Sequence, residues 1–383
     1  MYISAFLHKD ELFEITNRWL SNRLEPNDAL EITRIITYDS FVAWERLLLF
    51  IRELNEFLPN LVHFNHIDTK KELKDFICNG ATVRTDRLRQ IISKYRNSPE
   101  FYYIGAPIKA LAFHDDCRQI TAMCRFKRVK RIAEKASRYA LLHITNQVRH
   151  TATQLALKNG SDPAASPKLL AQAEKEHLKQ IKNQGLSLPA SIMTIKDVLG
   201  LKIIKNGISE DSLEMQIARI PGATIIEKEI HTGNYNAIHY VVELTVDFDY
   251  MSGRFKGQRQ ESAYRYRGLP ASLSDDFQQF LRSSSDTVQV DLIFTTLDEL
   301  IESEIGRSMH ETHIFKQRQQ QKGFGNIPIN IEYIIEYLIA VGMSPTTQIE
   351  ELPIKIWGRY LPDALSYSVR KLYNLPEYSI IDY

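Results

Sequence analysis

Asp197 and Asp291 lie 94 positions apart, and each sits where an acid is out of place. Asp197 heads the run Asp197-Val198-Leu199-Gly200-Leu201-Lys202-Ile203-Ile204, and Asp291 interrupts the apolar stretch Thr287 to Phe294. An acid inside an apolar strand is costly unless it has a partner. Between the two lies Gly233-Asn234-Tyr235-Asn236-Ala237-Ile238-His239, which offers a ring and an imidazole. Carboxylates on neighbouring strands can hold a magnesium ion together with substrate phosphates. A tyrosine can stack on a base, because every base has a π-face. Phosphoryl or pyrophosphoryl transfer needs those parts, plus cations for the charge that develops. The reading requires Asp197 and Asp291 to meet closely enough to share one cation beside Tyr235. Taken singly, each acid reads equally as an edge-facing Asp on a half-exposed strand.

The elements that must position these groups follow from periodicity. Apolar spacing predicts helices over Asp10 to Leu20, from Asn27-Asp28 to Ile35, Phe41 to Leu58, Thr69 to Asn79 and Thr85 to Tyr95. Pro107 is expected to open a turn, and Asp115 or Asp116 to begin a helical stretch reaching Lys158. Asn159-Gly160-Ser161-Asp162-Pro163 is the clearest break. Lys168 to Lys182 resumes as a polar helix. Leu199 to Ile204, Ile238 to Phe248 and Thr287 to Phe294 read as strands, Leu297 to Gln320 as a long helix, and Ile331 to Val341 as another. The expected class is α+β. Residues 1–160 form an all-helical domain, 165–325 a mixed sheet flanked by helices, and 326–383 a helical or mixed extension.

Composition bounds the function. At 383 residues, two or more domains are the expectation. The net charge of +1 rules out a global field for nucleic acid or membrane, leaving only local patches. Cys78, Cys117 and Cys124 are irregularly spaced, so they suit neither a disulfide framework nor a metal knuckle and favour a reducing compartment. The first twenty residues carry His8, Lys9, Asp10, Glu11 and Glu14, unlike a signal peptide, and the longest apolar run near the front is Leu47 to Ile51. A cytoplasmic protein without a membrane partner is expected.

Residues 192–316 resemble the synthetase domain of the RelA/SpoT alarmone synthetases. Asp197-Val198-Leu199-Gly200-Leu201-Lys202 is similar to that family's Asp-Ile-x-Gly-x-Arg element, and Ile220-Pro221-Gly222 to its Ile-Pro-Gly lead. Gly233 to His239 resembles its Asn-Gly-Tyr-x-Ser-x-His element, with the Tyr-to-His spacing kept. Asp291 to Thr296 resembles its Glu-x-Gln-x-Arg-Thr strand. Ser303 to His310, followed by Phe315-Lys316, resembles its Ala-Glu-x-Gly-x-x-x-His-x-x-Tyr-Lys helix. The resemblance implies a nucleotidyltransferase-like fold and the movement of a pyrophosphate from ATP to the 3′-hydroxyl of a guanine nucleotide, or of tRNA as in toxin-type relatives. It implies Mg2+ on Asp197 and Asp291, with Asp291 also drawing the acceptor proton, and Tyr235 stacked on the acceptor base. Lys202, His239 and His310 become contacts to phosphate or ribose, Lys316 a substrate contact, and Glu304 a capping or supporting acid.

The chain also departs from the pattern. Asp291 is one methylene shorter than the family's Glu, Thr295 stands for its Arg, and Lys202 loses a bidentate fork. No Arg-x-Lys element precedes Asp197; Lys175, Lys179, Lys182 or Arg128-Val129-Lys130 could substitute. These departures leave open a catalytically degenerate regulator that binds a nucleotide or a protein. Three further features are weighed. His114-Asp115-Asp116, with His63 and His66, resembles the His-Asp pair of that family's helical hydrolase domain, but reads more simply as a loop with an N-cap. Arg125 to Arg131 holds five cations and reads first as a solvated helix face, with a phosphate or RNA contact as the functional alternative. Tyr250 to Gly268 interleaves Arg254, Lys256, Arg259, Arg265 and Arg267 with aromatics, which suits a phosphate-plus-base contact or a polar hairpin.

Overall fold

A computed structural model describes residues 1–56, 63–80, 85–102, 107–158, 167–186, 188–233, 235–256, 269, 273–306, 326–343 and 349–358. The chain opens with a short strand β1 (Tyr2–Ile3) and helices α1 (Lys9–Leu20), α2 (Asp28–Arg34) and α3 (Ser40–Asn55). A wide π-type turn, Ile35–Asp39, runs α2 into α3. It sets the buried Asp39 carboxylate against His8, whose backbone N–H donates to it at 2.9 Å. Then come β2 (His63–Thr69), α4 (Lys70–Gly80), α5 (Asp86–Asn97), β3 (Pro107–His114) and β4 (Ile120–Phe126). Two long helices follow, α6 (Val129–Lys158) and α7 (Pro167–Gln184), and a single turn, α8 (Ala190–Met193). The next elements are β5 (Thr194–Ile195), β6 (Leu199–Ile204), α9 (Glu210–Arg219), β7 (Ala223–His231) and β8 (Ala237–Thr245). The described chain ends with α10 (Phe248–Lys256), α11 (Leu273–Arg282), β9 (Thr287–Thr295), α12 (Leu297–Glu304) and α13 (Ile327–Gly342).

Seven strands form one mixed sheet in the order β2-β3-β4-β6-β9-β8-β7. Only β6 and β9 run parallel; every other neighbouring pair is antiparallel. β1 and β5 pair separately. Because side chains alternate along a strand, the sheet has two distinct faces. One carries Leu111, Phe113, Cys124, Leu201, Tyr240, Leu292 and Phe294 into the main core, against α1, α3, α6, α11 and α13. The other carries Ala110, Ala112, Met123 and Ile204 against α4, α5 and α12 in a smaller core. The remainder of that second face, over β6, β9 and β8, sets Lys202, His239, Glu243 and Asp291 among the apolar Val241 and Ile293. The fold is therefore α+β, with helices on both sides of a mixed sheet.

The front of the chain departs from expectation. Residues 63–126 contribute three strands to the same sheet, and the main core runs from Met1 to Ile356. The expected all-helical domain over 1–160 is not a separate body, and α13 packs in the same core rather than forming an extension. The physical reason lies in β3 and β4, which are buried on both faces. Small side chains (Ala110, Ala112) face one layer and large ones (Leu111, Phe113) the other, so the segment reads as an apolar run that periodicity cannot tell from helix. Pro107 opens β3, not a turn. Asp115 and Asp116 sit in the β3–β4 turn, where Gln119 N–H donates to Asp115 Oδ1 at 2.9 Å. The expected helix there begins only at Val129. Helices α1, α2, α4, α5, α7 and α13 and strands β6, β8 and β9 fall where the spacing predicts them.

Candidate functional site

The parallel pairing of β6 with β9 builds the site. Gly200 lies opposite Asp291 and Lys202 opposite Ile293. On the other side of β9, Val241 lies opposite Asp291 and His239 opposite Ile293. On β4, Arg125 lies opposite Gly200. Cross-strand partners share a face, so Arg125, Lys202, Asp291 and His239 all project onto the polar part of the second face. Glycine at position 200 leaves open the space between Arg125 and Asp291.

Two linked charge groups occupy this face. Lys202 is buried, at 7% exposure, and its Nζ donates to Glu304 Oε1 at 2.5 Å. Arg125 Nη1 reaches both Glu304 oxygens at 3.3 Å. Burial alone would raise the Glu304 pKa, but Arg125 and Lys202 outweigh it and hold the carboxyl far below the usual range. Burial lowers the Lys202 ammonium, and Glu304 restores only part of that. Across the strand, His239 Nδ1 lies 3.8 Å from Asp291 Oδ1, and its Nε2 meets the Tyr235 hydroxyl at 3.2 Å. The His231 ring packs edge-on against His239, with centroids 4.5 Å apart. Tyr235, His239 and Asp291 thus form a chain along one rim of the polar face.

Asp197 stands apart. It precedes β6 by two residues, roughly 10 Å of strand upstream of the position opposite Asp291. Lys127 and Lys135 both bond its Oδ2, Lys135 at 3.0 Å. Burial would raise the Asp197 carboxyl, but the two ammonium groups hold it below its ordinary value. The expectation that Asp197 and Asp291 turn to one point is not how they stand: Asp197 faces two lysines and Asp291 faces His239. Asp197 Oδ1 is buried without a hydrogen-bond partner among the described residues. Such an oxygen is a fitting cation donor. Among the described residues, no group of three or more His, Cys, Asp or Glu side chains gathers to hold a metal ion.

Sequence reasoning assigned Asp197, Lys202, Tyr235, His239, Asp291 and Glu304, and the structure brings the last five onto one face. His310 and Lys316 lie outside the described residues, as do residues 307–320 of the long helix expected from Leu297, of which α12 is the start. Lys127, Lys135 and Arg125 are not among the expected site residues. For Arg125 and Lys127 the signal is the cation run Arg125 to Arg131, expected on a helix as a solvated face or a phosphate contact; Lys135 lies outside that run. In the structure Arg125 ends a strand and Lys127 lies in the link to α6, so the run splits between two directions. The basic-aromatic segment begins as helix α10, where Arg254 bonds Glu45 at 2.9 Å and Phe255 is buried; residues 257–268 lie outside the described residues. A cavity of about 490 Å³ opens beside the Asp197 corner, lined by Lys135, Tyr139, His143, Ser191 and Lys196 among others. No helix of the described chain is long and apolar enough to cross a membrane. Comparison with protein-family models, with curated proteins and with solved structures gave no match.

Proposed function

We propose that the chain is a RelA/SpoT-like pyrophosphotransferase that moves a pyrophosphate from ATP to the 3′-hydroxyl of an acceptor nucleotide, a guanine nucleotide or the end of a tRNA. The observation that carries the reading is the register of β6, β9 and β8. Motif pieces separated by up to a hundred residues in sequence put Lys202, Asp291, His239 and Tyr235 on one polar face. The cations that the sequence lacks ahead of Asp197 are replaced by Lys127 and Lys135, which come from the other side of the sheet.

In this reading Lys127 and Lys135 turn from Asp197 to the ATP phosphates. Asp291 would hold the divalent cation that arrives with ATP, which neutralises phosphate charge; Asp197, roughly 10 Å of strand away, is not placed to share it. Tyr235 stacks the acceptor base. The acceptor oxygen attacks the β-phosphorus, the bond from that phosphorus to the bridging oxygen of the α-phosphate breaks, and AMP leaves. The acceptor proton passes to Asp291, whose neighbour His239 stabilises either charge state. Lys202 does not contact phosphate directly here; tied to Glu304, it fixes the floor beneath Asp291. The test is AMP release from ATP and magnesium with GDP, GTP or tRNA as acceptor.

One observation favours a second reading, a degenerate member that binds a nucleotide or a protein without turning it over. Asp197 is neutralised by two lysines and Lys202 by Glu304. ATP binding by the folded protein, with no AMP formed from any acceptor, selects that reading.

A further inference from the structure

The charge of this molecule is unevenly placed. The chain as a whole carries +1, yet α6 alone holds six cationic side chains (Lys130, Arg131, Lys135, Arg138, Arg149 and Lys158) against one acid, Glu134. Two of the six are spoken for by neighbours on other elements: Lys130 by Glu332 and Glu336, and Lys135 by Asp197. Arg138 and Arg149 are exposed and have no acidic partner among the described residues. The adjoining helix α7 adds Lys175, Lys179 and Lys182, also exposed.

The cavity beside Asp197 sits on this helix. Lys135, Tyr139, His143 and Asn146 line it from α6 at steps of three and four, so they form one face. Ser191 from α8 and Lys196 from the link between β5 and β6 close the other side. One turn beyond Asn146 the same face continues as Arg149 and His150, both exposed. A solvated helix would carry acids among its cations; here a single acid stands in thirty residues. The strip is basic, and its cavity of about 490 Å³ is large enough for a planar ring and presents an aromatic side chain. A ring to stack on, flanked by a line of cations, is how single strands are gripped without a sequence code. An anionic lipid surface needs no such cavity, and an acidic peptide has no flat ring to place there.

We infer that the α6 strip binds single-stranded nucleic acid, with backbone phosphates along Arg138 and Arg149 and one base in the cavity against Tyr139. Binding is independent of turnover and is measured without ATP, so the proposed activity and this inference fail separately. The probes are fluorescent 20-nucleotide oligouridylate and oligothymidylate, read by anisotropy at several salt concentrations with the full chain. Two phosphate contacts give a slope of log affinity on log salt of about −1.4. Arg138→Glu with Arg149→Glu is expected to weaken binding at least tenfold and flatten that slope. Tyr139→Ala is expected to weaken it about tenfold with the slope unchanged. Both variants alter half-exposed or exposed positions, and unfolding midpoints equal to wild type confirm that they fold. No binding, binding unchanged by the arginine reversals, or equal arginine-dependent binding to phosphatidylserine vesicles in place of oligonucleotide overturns the inference.

Discussion

Removing either end of the Lys202–Glu304 pair should damage the protein unequally, and the structure says which end matters more. Lys202 and Glu304 are both nearly buried, with side chains 9% and 15% exposed, and lie 2.5 Å apart. At an effective dielectric of 20 their attraction is about 7 kcal/mol, most of it offset by the several kcal/mol needed to desolvate each ion. The pair as a whole therefore contributes little net stability. Breaking it is different, because an unpaired buried charge costs about 3 to 5 kcal/mol. Glu304 has a second cation in Arg125, so Lys202→Met leaves the carboxylate still paired. Among the described residues Lys202 forms its salt bridge with Glu304, and Asp291 acts on it only from a greater distance, so Glu304→Gln leaves the ammonium without an ion-pair partner. Glu304→Gln is expected to cost about 3 kcal/mol and Lys202→Met about 1 kcal/mol. The double variant Lys202→Met with Glu304→Leu should cost less than the sum. Urea unfolding at pH 7 measures all three, and the cycle gives the coupling. Equal single costs, or a double variant equal to the sum, would refute the reasoning.

Other expectations follow from the same coordinates. Burial pushes the Cys78 thiol up to about 11 and Cys124 to about 12, while Cys117 is exposed, so folded protein should react quickly with a thiol reagent at one cysteine; mass mapping that finds Cys124 modified first contradicts this. Gly222 has φ +73°, and a Cβ there would sit 2.9 Å from Thr245 Cβ, so Gly222→Ala should cost at least about 1 to 2 kcal/mol in urea unfolding. Asp197 and Glu304 titrate lower in the folded chain than in the unfolded one, so their stabilising contribution is full above about pH 5 and lost as pH falls through the folded values. The stability gap between wild type and Asp197→Asn should be constant above pH 5 and narrow below it, and a gap unchanged down to pH 3 would rule this out.

How much of this was legible in advance depended on burial. β6, β8 and β9 announced themselves, since β9 alternates from Val288 to Phe294 with one face partly wet. Periodicity placed Lys202, His239 and Asp291 on strands, but their common face follows only from the order and register of β6, β9 and β8, which the sequence does not state. β3 and β4 were not, since a strand covered on both faces loses its alternation. That single failure hid Arg125, Lys127 and Lys135, because a cation run placed on a presumed helix cannot be aimed at Asp197. It also divided one core into three domains. No local signal tells that Lys127, seventy residues upstream, meets Asp197; that contact comes from strand order alone.

The central claim is that the polar face over β6, β9 and β8 transfers pyrophosphate, and AMP release from labelled ATP tests it most directly. Wild-type protein with magnesium and a guanine nucleotide or tRNA acceptor should yield AMP. Asp291→Asn should yield none while unfolding at the wild-type urea midpoint. Folded wild type that forms no AMP with any acceptor, or an Asp291→Asn variant that forms as much as wild type, contradicts the account.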